Sequence, residues 1–102
     1  VSSSEYPVRL LPIAEEDLQE ILSYIAADSP ASAERFAETI EKSLKRLSSH
    51  PHLGKIPNDE KLSGMGYRFI IVGNYLIFYT IRSKTILVHR IIHGARDIQR
   101  LL

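Results

Sequence analysis

Tyr67-Arg68-Phe69-Ile70-Ile71-Val72-Gly73-Asn74-Tyr75-Leu76-Ile77-Phe78-Tyr79-Thr80-Ile81 is the stretch whose reading decides the fold. Two runs that are β-branched or aromatic over most of their length flank Gly73-Asn74, a two-residue link with glycine where a hairpin turn needs positive φ. A third such run, Thr85 to Ile92, follows Arg82-Ser83-Lys84. The pattern predicts a three-stranded meander with short connections.

Outward from the meander, the preceding chain reads as its support. Pro7-Val8-Arg9-Leu10-Leu11, ended by Pro12, is a short extended run, and proline confines such a run to a sheet edge. Ile13 to Ala27 has helical spacing, with Leu18, Ile21, Leu22 and Ile25 on one stripe and Glu15, Glu16 and Asp17 in the opening turns, where the helix dipole favours acids. Ser29-Pro30 is a helix start, serine as cap and proline at the first helical position. The second helix is expected to reach about Ser48, burying Phe36, Ala37, Ile40, Leu44 and Leu47. Glu38 with Lys42 and Glu41 with Lys45 are i,i+4 pairs, each adding about 0.2–0.5 kcal/mol on its exposed face.

Two amphipathic helices with so short a link fold back antiparallel and bury their stripes against a shared sheet. The segment from His50 to Gly66, with two prolines and three glycines, is long for an unstructured connection, so it is either a functional loop or hides a turn of structure. Residues 1–6 read as a disordered tail and residues 7–102 as a single domain. The expected fold class is α+β: two antiparallel helices on a small twisted antiparallel sheet in the order β-α-α-β-β-β, with a short C-terminal helical turn between Ala95 and Leu102.

Composition narrows the function classes. At 102 residues the chain has room for one core. Apolar residues make up 44% and charged residues 25%, the usage of a globular domain rather than a disordered one. No window approaches the apolar length needed to cross a bilayer, nothing near the N-terminus resembles a signal peptide, and cysteine is absent. The expectation is a cytoplasmic protein with no membrane partner and no disulfide or thiolate chemistry.

The net charge of +1 hides an asymmetry: residues 1–60 sum to −5, and residues 61–102 to +6, from seven Lys/Arg against Asp97 alone. Either the sheet region faces an acidic partner or phosphate, or these residues decorate exposed strand positions.

The order of elements, Ser29-Pro30 opening the second helix and His50-Pro51…Gly54 closing it, resembles the RelE/ParE family of toxins from bacterial type II toxin–antitoxin pairs. The similarity spans nearly the whole chain after the tail. Its most specific stretches, Gly73 to Tyr79 and Ile91-Ile92-His93-Gly94-Ala95-Arg96-Asp97, are closer to the ParE-like branch. The resemblance implies an antitoxin protein as partner. It also implies one of two targets: DNA gyrase, inhibited by ParE-like members, or mRNA on the ribosome, cut by RelE-like endonucleases. A third possibility is a non-toxic member that retains only antitoxin binding.

Cleaving RNA with its own 2′-hydroxyl needs a base, cations near the phosphorane charge and an acid for the leaving oxygen. On the RelE-like pattern, Arg68 matches the first of two basic positions on the first meander strand, and Arg96 matches the arginine after the last strand. Ile70, Leu76 and Leu102 stand where the remaining groups belong. Arg68, Ile70 and Val72 share a strand face by period two, so the face expected to line a nuclease groove is largely apolar. Under the nuclease alternative Arg68, His93 and Arg96 carry the chemistry, with His93 moving the proton. The plain structural reading has Gly94 turn the chain out of the sheet, Arg96 and Asp97 pair or cap the terminal turn, and His93 stand as a surface residue. Binding to gyrase is the leading expectation, and on it no residue is catalytic.

Other candidates carry less. His50 and His52 flank Pro51 without cysteine or an adjacent acid, so they read as a helix-ending loop rather than metal ligands. Tyr67, Tyr75 and Tyr79 have the types that stack on bases, but on alternating strands they equally serve packing. Gly64-Met65-Gly66 is too short for a phosphate loop, and no cofactor or metal is expected.

Overall fold

The structure is a computed structural model, described here for residues 5–94. Its elements run β1 (Val8–Leu10), α1 (Pro12–Asp28), α2 (Pro30–Ser49), α3 (Glu60–Gly64), β2 (Arg68–Val72), β3 (Tyr75–Arg82) and β4 (Thr85–His93). The expected C-terminal turn, from Ala95 onward, lies outside the described residues.

The meander forms as the sequence predicts. Val72 pairs with Tyr75 across Gly73-Asn74, and Arg82 pairs with Thr85 across Ser83-Lys84. Gly73 has φ +60°, the glycine-first arrangement of a type II′ hairpin turn. In the second turn both residues are left-handed, Ser83 at φ 49° and Lys84 at φ 58°, with no glycine to relieve them.

One expectation is corrected, and one alternative is decided. The sheet is mixed, not antiparallel: its order is β1-β4-β3-β2, and β1 lies parallel to β4 with Val8 opposite Ile86 and Leu10 opposite Val88. Period-two alternation marks a strand but carries no sign for its direction. Here the chain passes through both main helices and the following connection to the far edge before the meander begins, so β4 arrives beside β1 in the same sense. The edge position expected for β1 is observed. The connection after α2 contains helix α3, capped by Asp59, whose Oδ1 accepts from Leu62 N at 2.9 Å. At five residues it is too short to show a hydrophobic period.

Ser29 caps α2 by accepting from Ser32 N at 3.2 Å, with Pro30 as the first helical residue. Pro12 likewise opens α1 rather than closing the strand before it. Tyr6, in the segment read as tail, donates its N–H to Ser48 O at 2.9 Å and packs on the core.

Strand alternation divides the packing into two clusters. Ile77, Tyr79, Ile86, Val88 and Ile91 meet Ala14, Ile40 and Leu47 beneath the helices. Phe78 and Ile92 pack with Leu62 of α3 on the opposite face. Leu18, Ile21, Phe36 and Leu44 complete the first cluster while remaining half-buried.

Candidate functional site

Arg68, the first candidate, stands on β2 opposite Tyr79. Its Nη1 donates to Gly54 O at 3.0 Å and to His52 O at 3.3 Å. The Tyr79 hydroxyl holds the same loop: it donates to Pro51 O at 2.8 Å and accepts from Gly54 N at 2.9 Å. Burial pushes the Tyr79 pKa up from 10.0, against smaller lowering by the Gly54 N–H and Arg68. Gly54 fits because it has no side chain; a Cβ there would lie 2.5 Å from the Tyr79 oxygen. Guanidinium and phenol together close the turn after α2.

His93 is the last residue of β4, opposite Tyr75, with the two rings edge-on at 5.5 Å. The Tyr75 ring lies in turn 5.3 Å from Phe36 of α2. Arg68 and His93 are therefore not brought together. Their registers on β3, Tyr79 and Tyr75, are four residues apart. At about 3.3 Å per residue and about 4.8 Å per strand, this places their backbones roughly 13 Å apart along the sheet and roughly 10 Å across it. Arg96 and Asp97 lie outside the described residues.

The apolar face is explained differently than expected. Ile70 and Val72 belong to the cluster beneath the helices, so the surface read as too apolar for a nuclease groove is the inner face of the sheet. Leu76 faces the other side, packed with Phe78, Ile92 and Leu62. Two of the positions where the nuclease pattern calls for charge thus fill hydrophobic contacts.

Three of the seven basic residues of the C-terminal part, Arg68, Arg82 and Arg90, bond within the fold. Arg82 Nη2 donates to Met65 O at 2.8 Å, tying α3 to β3. Arg90 meets Asp17 of α1 through Nε at 2.8 Å and Nη2 at 3.0 Å, and Asp17 also accepts from Ile91 N at 3.0 Å. The β3–β4 register shifts here, Phe78 facing Arg90 and Tyr79 facing Val88 with His89 as the extra residue on β4, and Asp17 bonds the backbone beside it. The spacing of Asp17 and Arg90 in sequence gave no signal of this pair.

Sequence reasoning also missed the setting of His89. Its Nδ1 lies 3.2 Å from the Tyr67 hydroxyl and its Nε2 2.9 Å from Thr80 Oγ1. Burial lowers its pKa from 6.5, with a further lowering by Arg82. The neutral ring is thereby favoured, and both nitrogens are engaged within the fold. Among the described residues no group of three His, Cys, Asp or Glu is placed to hold a metal ion, and no helix is long and apolar enough to cross a membrane.

The family model described as "ParE toxin of type II toxin-antitoxin system, parDE" matches residues 8–98. The chain belongs to the ParE toxin family. No curated protein matches it in sequence. Among solved structures this ParE-family chain is similar to a chain from the chromosomal ParDE toxin–antitoxin system of P. aeruginosa, with TM-score 0.70 and 18% identity over 88% of this chain and 97% of that one. It is also similar to a chain of the RelBE2 toxin–antitoxin complex of Mycobacterium tuberculosis, with TM-score 0.63 and 25% identity over 87% of this chain and 98% of that one. The ParE-family fold thus reaches both neighbours over nearly their whole length.

Proposed function

We propose that this ParE-family toxin acts by binding DNA gyrase and performs no phosphodiester chemistry. The observation that carries the reading is the placement of Arg68. A cation that stabilises a phosphorane must face the substrate, whereas this guanidinium is spent on two backbone carbonyls and stands far from His93. Arg68, Arg82, His89 and Arg90 of the meander are engaged within the fold, which supports a reading in which shape and surface do the docking.

A protein antitoxin, bound on apolar surface of the helices or at a free sheet edge, is the expected partner. The ParDE and RelBE2 neighbours both come from toxin–antitoxin systems, and the cytoplasm is the expected place of action. Co-purification with the product of an adjacent short gene tests this partner.

The RelBE2 neighbour shares more identity than the ParDE one, which keeps one rival in view, a ribosome-dependent endonuclease using Arg68, His93 and Arg96. Induced expression with separate readouts of DNA supercoiling and mRNA integrity separates the two. The expected result is loss of supercoiling with intact message, reproduced with purified gyrase. Message cleavage on ribosomes, abolished by His93→Ala or Arg96→Ala, would refute the binding mechanism. Unimpaired growth without antitoxin would identify a non-toxic member.

A further inference from the structure

α3 lies on the sheet face away from the two main helices, where Leu62 packs with Phe78 and Ile92. An isolated helix of five residues does not hold its shape in water, so this cover depends on what fastens it. Its own backbone bonds stay within the segment: Ser63 N to Asp59 O, Met65 N to Lys61 O, Gly66 N to Ser63 O and Tyr67 N to Leu62 O. Among the described residues, the polar bonds from residues 59–67 to the strands are made at the C-terminal end alone. Arg82 Nη2 holds Met65 O at 2.8 Å. The Tyr67 hydroxyl lies 3.2 Å from Nδ1 of His89, whose Nε2 lies 2.9 Å from Thr80 Oγ1, and the two rings stand edge-on at 4.9 Å. Between these two clasps is Gly66 at φ +83°, a conformation glycine adopts without steric cost.

The groups around His89 offer a proton on the ring no counter-charge. Burial opposes the charged form, and Arg82, facing it from β3, opposes it further. Arg9 of β1 stands opposite Leu87, on the same sheet face by alternation. Arg90, next in sequence, is already matched by Asp17 of α1. Tyr67 and Thr80 present hydroxyls, Glu60 and Lys61 of α3 are exposed, and no carboxylate acts on the ring.

We propose that residues 60–67 form a proton-sensitive latch, hinged at Gly66, which lets go of the sheet when His89 takes up a proton and so uncovers Phe78 and Ile92. A neutral imidazole donates from one nitrogen and accepts at the other, whereas the imidazolium only donates. The hydroxyl that gave its proton to the ring must then turn it elsewhere, and imidazolium and guanidinium are left facing one another. Arg82 is exposed and relieves the repulsion by swinging into water, which frees Met65 O. One proton thus loosens both clasps. Release in turn hydrates the ring, so proton uptake and opening favour each other.

Amide exchange of the full chain, read residue by residue by NMR and corrected for the intrinsic effect of pH, tests the latch because it separates local from global opening. Opening constants at the Met65 and Tyr67 amides should exceed those at Ile40 and Leu47 of α2 at every pH. They should also rise as pH falls below the ordinary histidine value of 6.5, by up to about tenfold per pH unit, the limit for one proton. The rise should level off at the midpoint of the His89 ring titration in the same sample, and His89→Gln should remove it. The ring titration needs no substitution, so it keeps the test decisive if the glutamine variant does not fold. Equal opening constants at Tyr67 and Leu47 in mild acid would show α3 leaving only with the whole fold, and would overturn the latch. So would exchange at α3 that ignores pH, a rise that follows the titration of His50, His52 or His93 instead, or one that persists in His89→Gln.

Discussion

The Tyr79 hydroxyl is the residue-scale feature on which the turn after α2 depends. It sits among fully buried groups, donates to Pro51 O and accepts from Gly54 N. Tyr79→Phe leaves that N–H and that carbonyl without the partner they have here, and a buried polar group stripped of its hydrogen bond costs about 1–3 kcal/mol. Chemical denaturation is expected to show a loss in this range, with the sheet retained. His89 gives the pH dependence its sign. Its folded pKa lies below the ordinary value of 6.5, so the unfolded chain takes up the proton more readily than the native one. Stability from the neutral ring is full above about pH 6.5 and declines as pH falls below it. Thermal melts between neutral and mildly acidic pH should show this decline, and His89→Gln should flatten it.

At the scale of elements, the two hairpin turns contrast. Gly73 supplies its positive φ at no steric cost, while Ser83 and Lys84 both occupy the left-handed region, which costs a residue with a Cβ roughly 1–2 kcal/mol. Lys84→Gly is expected to stabilise the protein by about 1 kcal/mol, less the added entropy of the unfolded chain, and a raised denaturation midpoint would show it. The helices were legible because capping and period are local: Ser29-Pro30 opens α2 where its residues say, and Ile40 and Leu47 are buried as their spacing predicts. α3 was legible only as one of two readings of a connection too long to be unstructured, and its position was not, since five residues contain barely more than one turn. Its only written signal is Asp59, three residues before Leu62, at a cap position.

At the scale of the whole molecule, the apolar cluster between helices and sheet is joined by one polar contact between distant parts of the chain. Asp17 takes two bonds from the Arg90 guanidinium and one from Ile91 N. The side chains are 12% and 25% exposed respectively, so the pair is shielded but not desolvated. Asp17→Ala removes the acceptor of the Ile91 N–H as well as the counter-charge, and a loss of about 2 kcal/mol in denaturant unfolding is expected. The same long-range contact changes the functional reading. Arg68, Arg82 and Arg90 looked available for phosphate in the linear chain, yet each is bonded to a loop carbonyl or an acid elsewhere in the fold.

Local rules in the sequence determined the meander, the two main helices, the Ser29 cap and the family, because turn chemistry and hydrophobic period are properties of neighbouring residues. Tertiary structure alone decided that β1 runs parallel to β4, that Ile70 and Val72 face inward, and that Arg68 and His93 stand four registers apart on strands separated by β3. Strand direction, the choice of buried face and the partner of a charge all depend on which distant segments meet. The free energy that sets them comes from burial and hydrogen bonding between those segments, and a linear pattern does not contain it.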